Sequence, residues 1–435
     1  MSGEPSLELA PARSDSAPHR VREREPAEHA PQRVPKRVAL LLSDLNGGGV
    51  QRMSLVVAEQ LARRGHRVDL VVCEPGGELE EAVPANVRRV TLRPASGLAG
   101  RLAALRADPA GLAILARPLL LPRRVSPTLP YLPDLVSYLR RERPDALIAA
   151  TPNNNVEAVL ARRSAGVTTR LILTERTALA EKLATSPRWR HRYLPPLLRR
   201  TYLEAEAIVA VSEALADDLA AATGIPRARI RTIYNPLVSA AVRARADEPL
   251  DHPWFRPGEP PVVLSAGRLT DVKDFPTLIE AFARLRAQRP ARLVILGRAK
   301  DERKTVERRA EFAALAERLG VGADVELPGY VHNPFPYMRR AAVFALTSRR
   351  EGLPGVLVQA MACGCPVVST DCPTGPREVL ADGRFGRLVP VGDAAALAQA
   401  LAATLDDPPP AELLQARAAE FSVERAIDRY EALLG

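Results

Sequence analysis

The chain has 435 residues, of which 46% are hydrophobic and 4% aromatic, and it carries a formal net charge of +10. This length gives room for two domains with large cores. Four cysteines argue against a disulfide framework and fit a reducing compartment. The sequence shows neither a secretory signal nor an apolar run long enough to cross a membrane, so we expect a cytoplasmic protein.

The first 35 residues differ in composition from the rest of the chain. Residues 1–35 have few apolar side chains and many prolines, glutamates and arginines. Such a segment cannot bury enough surface to offset the entropy lost on ordering. We therefore expect a disordered tail, with the folded part beginning at Lys36.

The folded part opens with a strand, a glycine-rich turn and a helix. Arg37–Ser43 is an apolar run typical of a buried strand, and a helix is predicted over Val50–Arg64. This order is the start of a Rossmann-like unit. The turn contains Gly47, Gly48 and Gly49, whose spacing does not match the dinucleotide-binding fingerprint. The three glycines fit either a tight turn or a close approach of the backbone to a ligand in a cleft.

The basic excess of the chain lies in its first half, within residues 36–245. There, Leu112–Arg124 interrupts apolar runs with arginines, which suits a helix lying on an anionic membrane surface. An amphipathic helix packed on a sheet explains the same pattern, and both interpretations stay open. A nucleic-acid partner is disfavoured because the sequence lacks aromatic stacking motifs and zinc-finger spacing.

Two further strands of the first half end in polar residues. Asn153 follows the strand Ala146–Thr151, and Glu175-Arg176 comes at the end of the strand Leu171–Thr174. Ligands of α/β proteins bind at the carboxyl ends of the strands. Asn153 is therefore a candidate cleft residue.

The second half contains a strand, loop, helix and strand over Phe344–Thr374. The helix is predicted over Gly355–Cys363, with Pro354 at its first turn and Glu351 in the preceding loop. A helix start after a strand is a ready phosphate site, and a carboxylate in the same loop can accept hydrogen bonds from sugar hydroxyls. Together they indicate a nucleotide sugar. An ordinary strand–helix–strand unit with a solvated glutamate is the alternative.

The residues of this stretch resemble the signature of the family 4 retaining glycosyltransferases, a glutamate followed after seven residues by a second glutamate. Here the first glutamate is Glu351, and the second is replaced by Gln359, which bonds hydroxyls but brings no negative charge. The resemblance implies that Glu351 contacts the donor sugar and that residue 359 contacts the ribose. It also implies that the distal phosphate is held by a run of loop and helix-start residues, Gly352, Leu353, Pro354, Gly355 and Val356.

Other segments continue the resemblance. The loop with Arg268 and Lys273, which follows the predicted strand Val262–Ala266, is similar to the family's phosphate-binding loop. Fixed cations there stabilise the charge that the leaving nucleotide gains, without a metal. The segment Val325–Asn333, which includes Tyr330 and Val331, resembles the segment whose backbone reads the base, commonly uracil. By the same resemblance Glu175-Arg176 lies in the cleft near the reacting sugar, with a solvent-facing salt pair as the alternative.

We therefore predict an α/β protein with the GT-B architecture, in which two Rossmann-like domains face each other across a cleft. The expected acceptor domain spans residues 36–245 and the donor domain 246–421, with a C-terminal helix within 422–435 packing back on the first. The implied reaction is the retaining transfer of a hexosyl or N-acetylhexosaminyl unit from a nucleotide sugar to a lipid-linked or polysaccharide acceptor. A UDP sugar is favoured, although GDP stays open.

Neither a cofactor nor a metal is expected. Cys363, Cys365 and Cys372 are close in sequence, but two of them lie in an apolar packing run. Two alternatives to the transferase stay open. One is a GT-B sugar-nucleotide epimerase, and the other is a non-catalytic nucleotide-binding subunit, suggested by Gln359. The basic first half leaves open a contact with the inner face of the membrane.

Overall fold

Two parallel sheets with helices packed against them make up the fold. The computed structural model describes residues 34–109, 126–184 and 188–435. The predicted tail, apart from its last two residues, and the basic segment Leu112–Arg124 lie outside the described residues. Residues 36–435 form one compact unit that contains both sheets.

The first sheet has seven parallel strands in the order β3-β2-β1-β4-β5-β6-β7. Its strands are β1 (Arg37–Leu42), β2 (Arg67–Val72), β3 (Arg88–Thr91), β4 (Ala146–Ala150), β5 (Arg170–Glu175), β6 (Ala207–Ala210) and β7 (Ile230–Thr232). The helices between them are α1 (Gly49–Arg63), α2 (Gly97–Ala107), α3 (Leu132–Glu142), α4 (Pro152–Ala165), α5 (Leu179–Ala184), α6 (Arg188–Tyr202) and α7 (Glu213–Thr223). Central parallel strands are buried on both faces, which is why they read as continuous apolar runs. We call this sheet and its helices the first lobe.

The second sheet has six parallel strands in the order β10-β9-β8-β11-β12-β13. Its strands are β8 (Val262–Ala266), β9 (Arg292–Leu296), β10 (Val325–Gly329), β11 (Val343–Leu346), β12 (Val367–Thr370) and β13 (Arg387–Val389). The remaining helices are α8 (Ala240–Ala246), α9 (Phe275–Arg286), α10 (Glu302–Arg318), α11 (Phe335–Arg340), α12 (Gly355–Ala362), α13 (Pro376–Val379), α14 (Ala394–Asp406), α15 (Ala411–Ala418) and α16 (Val423–Glu431). This strand order is that of a Rossmann sheet. We call β8–β13 and their helices the second lobe.

The chain passes between the lobes twice, and the two passages lie side by side. Leu237 N donates to Phe421 O at 3.1 Å, and Val423 N donates to Val238 O at 2.9 Å. Between β7 and β8, helix α8 lies against α11 of the second lobe, and the Arg245 guanidinium stacks over the Phe335 ring at 5.3 Å. The predicted domain boundary at residue 245 thus falls inside a helix that packs on the second lobe.

The last helix, α16, returns to the first lobe. Arg64 Nη1 lies 2.6 Å from Asp428 Oδ1 and 2.6 Å from Glu431 Oε2. Ile427 and Tyr430 are buried in one cluster with Val38 and Leu70 of the first sheet. The C-terminal residues therefore complete the core on one face of that sheet. Among the helices of the described ranges, none has both the length and the apolar composition needed to cross a membrane.

Candidate active site

Each sheet has one point at which the strand order changes direction, and a ligand crevice is expected there. In the second lobe β8 pairs with both β9 and β11, so the loops leaving β8 and β11 diverge around this point. Arg268 and Lys273 lie in the first of these loops, and Glu351 lies in the second. The topology thus places the three residues that the sequence assigned to the chemistry on the two loops that leave neighbouring strands.

Lys273 and Glu351 are in direct contact. Lys273 Nζ lies 2.6 Å from Glu351 Oε1, and Ser348 Oγ donates to the same carboxylate oxygen at 2.6 Å. Both side chains are largely buried, at 19% and 13% exposed. Charge-assisted hydrogen bonds of this length are among the strong ones in proteins. An ammonium and a carboxylate are therefore held side by side between the two loops.

The backbone of the two loops is joined as well. Thr347 Oγ1 donates to Lys273 O at 2.8 Å, and Arg349 N donates to Val272 O at 2.8 Å. Arg349 Nε also pairs with Asp274 Oδ2 at 3.0 Å. These bonds fix the separation of Lys273 and Glu351 through main-chain atoms.

A glycine just after β9 allows the loops that leave β9 and β8 to pack closely. Gly297 has a φ of 147°, and a Cβ built there would lie 1.8 Å from Gly267 O. A larger residue is excluded by that contact. The Lys273 side chain passes over Gly267, because a Cβ built on that glycine would lie 3.2 Å from Lys273 Cε. Arg268, the next residue, is exposed.

A further cation stands beside the predicted base-reading segment. The Arg298 guanidinium stacks over the Tyr330 ring at 4.7 Å and forms an ion pair with Glu78 of the first lobe. Tyr330 is 49% exposed and follows the end of β10, with Val331 next in the chain. Sequence reasoning missed Arg298 because only the strand order brings β9 and β10 together.

The start of α12 supplies polar backbone to the same crevice. The first N–H groups of any helix have no acceptor within the helix, and Gly355–Val358 carries no acidic side chain that would compete for them. The positive end of the helix dipole is therefore suited to an anion. The donor-binding candidates lie on this loop and helix, namely Gly352, Leu353, Pro354, Gly355, Val356 and Gln359. Of these, Leu353 and Pro354 are buried and the other four are half-buried.

The Glu351 loop also touches the first lobe. A Cβ at Gly352 would lie 2.3 Å from Arg176 O, and one at Gly355 would lie 3.0 Å from Leu237 Cδ2. In addition, Ser212 Oγ donates to Gly352 O at 3.1 Å. The two lobes therefore meet at the loop that carries Glu351.

The glycine turn and Asn153 lie at the corresponding point of the first sheet, where β1 pairs with both β2 and β4. Ser43 Oγ donates to Asn154 Oδ1 at 2.9 Å, which joins the two loops. Asn153 is exposed in the first turn of α4. Within Gly47–Gly49, the carboxylate of Glu78 lies over the first glycine, 2.6 Å from where its Cβ would be.

Glu175 is the last residue of β5, and Arg176 follows it in the next loop. The Glu175 carboxylate is buried, accepts from Asn155 Nδ2 at 3.0 Å and accepts from the Tyr202 hydroxyl. Burial and this carboxylate raise the pKa of Tyr202 well above its usual value, so the phenol stays protonated. Arg176 Nη1 donates to Asn235 Oδ1 at 2.6 Å.

Within the described ranges, no group of three His, Cys, Asp or Glu side chains is arranged to hold a metal ion. All four cysteines are buried and free. Burial raises the pKa of both Cys363 and Cys372 to about 12. These side chains therefore remain thiols near neutral pH and act as small apolar groups.

Comparison with known proteins agrees with this architecture. A family model described as Glycosyltransferase Family 4 matches residues 47–238, and one described as Glycosyl transferases group 1 matches residues 260–407. The two matches together take in most of both lobes. Together the two matches identify a glycosyltransferase of the family 4 type, and the fold is GT-B, as predicted.

Two curated relatives each match nearly half of this chain. One is the N-acetylgalactosamine-N,N'-diacetylbacillosaminyl-diphospho-undecaprenol 4-alpha-N-acetylgalactosaminyltransferase of Campylobacter jejuni, 32% identical over 213 residues, which are 48% of this chain and 54% of the relative. The other is the lipopolysaccharide core biosynthesis glycosyltransferase LpsE of Rhizobium meliloti, 35% identical over 206 residues, 45% of this chain and 54% of the relative. The chain thus matches about half the length of these relatives.

Two solved structures share the whole fold. HepE of Anabaena, solved in complex with UDP, superposes with a TM-score of 0.67 at 21% identity, over 92% of this chain and 99% of HepE. WaaG, a glycosyltransferase involved in lipopolysaccharide biosynthesis, superposes with a TM-score of 0.64 at 17% identity, over 91% of this chain and 99% of WaaG. At such identities the likeness establishes the fold.

Proposed function

We propose that this protein is a retaining, metal-independent glycosyltransferase. It transfers a hexosyl or N-acetylhexosaminyl unit from a nucleotide sugar, with UDP as the favoured nucleotide, to a hydroxyl of a lipid-linked or polysaccharide acceptor. The observation that carries the proposal is the 2.6 Å contact between Lys273 Nζ and Glu351 Oε1 at the direction change of the second sheet. Campylobacter and Rhizobium relatives named for lipid-linked and lipopolysaccharide substrates support the acceptor class.

The geometry gives each part of the donor a matching group. As the bond between sugar and diphosphate breaks, negative charge grows on the leaving diphosphate, and Lys273 with the start of α12 stabilises it. Arg268, on the same loop as Lys273, adds a second cation. Glu351 accepts hydrogen bonds from sugar hydroxyls. The nucleoside then extends from β8 toward the end of β10, where Tyr330 lies.

The acceptor side is assigned to the first lobe. Its glycine turn and Asn153 lie at the carboxyl ends of strands of the first sheet, as the donor groups do in the second sheet. The lobes meet beside Glu351, at Gly352. Closure around the donor excludes water, which favours transfer to an acceptor over hydrolysis. Glu175 is held in a buried cluster with Asn155 and Tyr202. We assign it to shaping the first lobe beneath the cleft.

We also propose a peripheral contact with an anionic membrane on the cytoplasmic side. On α2, Leu98 and Leu102 lie one helical turn apart and are 66% and 43% exposed. Arg101 and Arg106 belong to the same helix, and a basic helix with exposed leucines suits an anionic lipid surface. The free cysteines fit the reducing side of the membrane.

The proposed function is tested by incubating the purified protein with UDP-hexoses and UDP-N-acetylhexosamines, with and without membrane lipid extract. We expect UDP release and a glycosylated lipid product only when both donor and extract are present, at a rate unchanged by EDTA. An epimer formed from the donor alone would instead identify an epimerase. UDP binding by calorimetry without turnover of any donor would identify a non-catalytic subunit.

Flotation with phosphatidylglycerol vesicles, comparing the wild type with Leu98→Gln/Leu102→Gln, tests the membrane contact.

A further inference from the structure

One carboxylate of the second lobe binds the start of a helix in the first lobe. Glu378, on α13, accepts from Glu213 N at 2.9 Å through Oε1 and from Ala214 N at 3.2 Å through Oε2. These are the first two N–H groups of α7. The next, on Leu215, is bonded by Ser212 Oγ at 3.2 Å. The positive end of α7 is therefore occupied by a side chain of the other lobe.

Glu378 also contacts the segment through which the chain first leaves the first lobe. Burial and the neighbouring Glu378 carboxylate raise the pKa of Tyr234 above its usual value. The Tyr234 ring packs on Phe421, with 4.7 Å between ring centroids, so it joins both passages between the lobes. Arg417 Nη2 in turn donates to Glu378 O at 2.5 Å. The glutamate is thus fixed at the point where the lobes are covalently connected.

The segment before Glu378 borders the Glu351 loop. Thr374 Oγ1 donates to Glu351 O, and a Cβ at Gly375 would lie 2.7 Å from Pro354 Cδ and 3.0 Å from Gly352 O. Since Ser212, which precedes α7, also bonds Gly352, the α7 start, Glu378 and the Glu351 loop form one connected set. A change in how the lobes contact each other at Glu378 must therefore also move the Glu351 loop.

We propose that Glu378 is a positioning residue that holds the two lobes closed on the Glu351 loop. Its ionised carboxylate makes two charge-assisted bonds to backbone N–H groups at a helix start, a stronger arrangement than neutral bonds can give. A neutral amide at this position keeps the size of the side chain and loses the charge. The consequence for catalysis rests on the proposed function, whereas the consequence for lobe closure does not.

The test compares the wild type with Glu378→Gln and with Glu307→Gln. Glu307 forms an exposed ion pair with Arg303 in the same lobe, so the control removes an equal charge away from the lobe contact. For Glu378→Gln we expect kcat to fall about tenfold, while UDP affinity by calorimetry changes less than threefold because the donor groups all lie in the second lobe. Small-angle X-ray scattering of the ligand-free variant should show a larger radius of gyration. Glu307→Gln should match the wild type in all three measurements.

Each outcome bears on a separate conclusion. An unchanged radius of gyration together with an unchanged kcat would overturn the role of Glu378. A parallel loss of UDP binding and melting temperature would overturn it too, because it would assign a purely structural role to the residue. If the wild type proves inactive toward every donor but Glu378→Gln still expands, the proposed function fails and the closure role stands.

Discussion

Lys273 and Glu351 carry opposite charges and are in direct contact between the loops that leave β8 and β11. Because Lys273 Nζ and Glu351 Oε1 lie 2.6 Å apart, truncating either side chain would leave the other as an unpaired, poorly solvated charge. Substitutions that keep size are therefore the cleaner probes. Lys273→Met removes the ammonium, and Glu351→Gln removes the negative charge while keeping an acceptor oxygen.

These two variants should lose activity in different ways. We expect kcat to fall about 10²–10³-fold in each, the usual effect of one strong electrostatic contact to the transition state. Lys273→Met should also weaken UDP binding in calorimetry, because we propose that the ammonium contacts the diphosphate, whereas Glu351→Gln should bind UDP normally. Lys304→Ala and Glu302→Ala, both exposed on α10, are the controls. Activity within a few-fold of wild type in either site variant would contradict the assignment.

Gln359 is the one departure from the family signature, and reversing it tests its role. The side chain is half-buried on α12, behind the first turn. A carboxylate accepts a hydrogen bond from a hydroxyl about twice as strongly as an amide does. Gln359→Glu should therefore tighten UDP binding about three- to tenfold in calorimetry, with 2′,3′-dideoxy-UDP unaffected as the control ligand. Equal effects on both ligands would place residue 359 away from the ribose.

At the scale of elements, some helices could be predicted from the sequence and others could not. The sequence predicted helices over Val50–Arg64 and Gly355–Cys363, and the structure has them at Gly49–Arg63 and Gly355–Ala362. Helix α4 went unpredicted although it is 14 residues long. It is buried on most sides and includes the polar residues Asn154, Asn155 and Glu157, so it lacks the one-sided apolar pattern that marks a helix in sequence.

Glu157 on α4 gives this element a pH-dependent stability. It is buried, accepts from Thr128 Oγ1 at 2.5 Å and Ser126 Oγ at 3.0 Å, and burial raises its pKa to about 7. The pKa of this carboxyl in the unfolded chain is near 4.5. Between pH 4.5 and pH 7 the folded state therefore keeps Glu157 protonated, whereas the unfolded state releases the proton. Stability from this group is full below about pH 4.5, falls as the pH rises to 7, and is constant above.

The variant Glu157→Gln removes this titration and keeps the hydrogen-bonding shape. We expect the wild type to lose about 2–3 kcal/mol relative to Glu157→Gln between pH 4.5 and pH 8. Urea unfolding of both proteins across that range measures the difference, and the other titrating groups cancel between them. Parallel stability curves would mean that Glu157 is ionised in the folded state at all these pH values.

At the scale of the whole molecule, the sequence predicted two Rossmann-like lobes and a C-terminal helix that returns to the first, but not the contacts between the lobes. Each lobe follows from local patterns, because apolar strands and helices alternate and the motifs fall at strand ends. The contacts between lobes do not, since the Arg298–Glu78 and Glu378–α7 pairs join residues about 220 and 165 positions apart. No local pattern in a single sequence marks such partners. They become visible only when both sheets are in place.

The return of α16 to the first lobe makes the folding of that lobe depend on the last residues of the chain. Tyr430 is 1% exposed and packs under the first sheet, so Tyr430→Ala leaves a cavity that should cost about 3–5 kcal/mol. We expect this loss to appear in the first lobe alone, as a separate early transition in calorimetric melting. UDP binding at temperatures below that transition should persist, because the donor groups belong to the second lobe.

Leu413→Ala, at a side chain 38% exposed on α15, is the control and should change stability by less than about 0.5 kcal/mol. A single cooperative transition that moves as a whole would show instead that the two lobes unfold together.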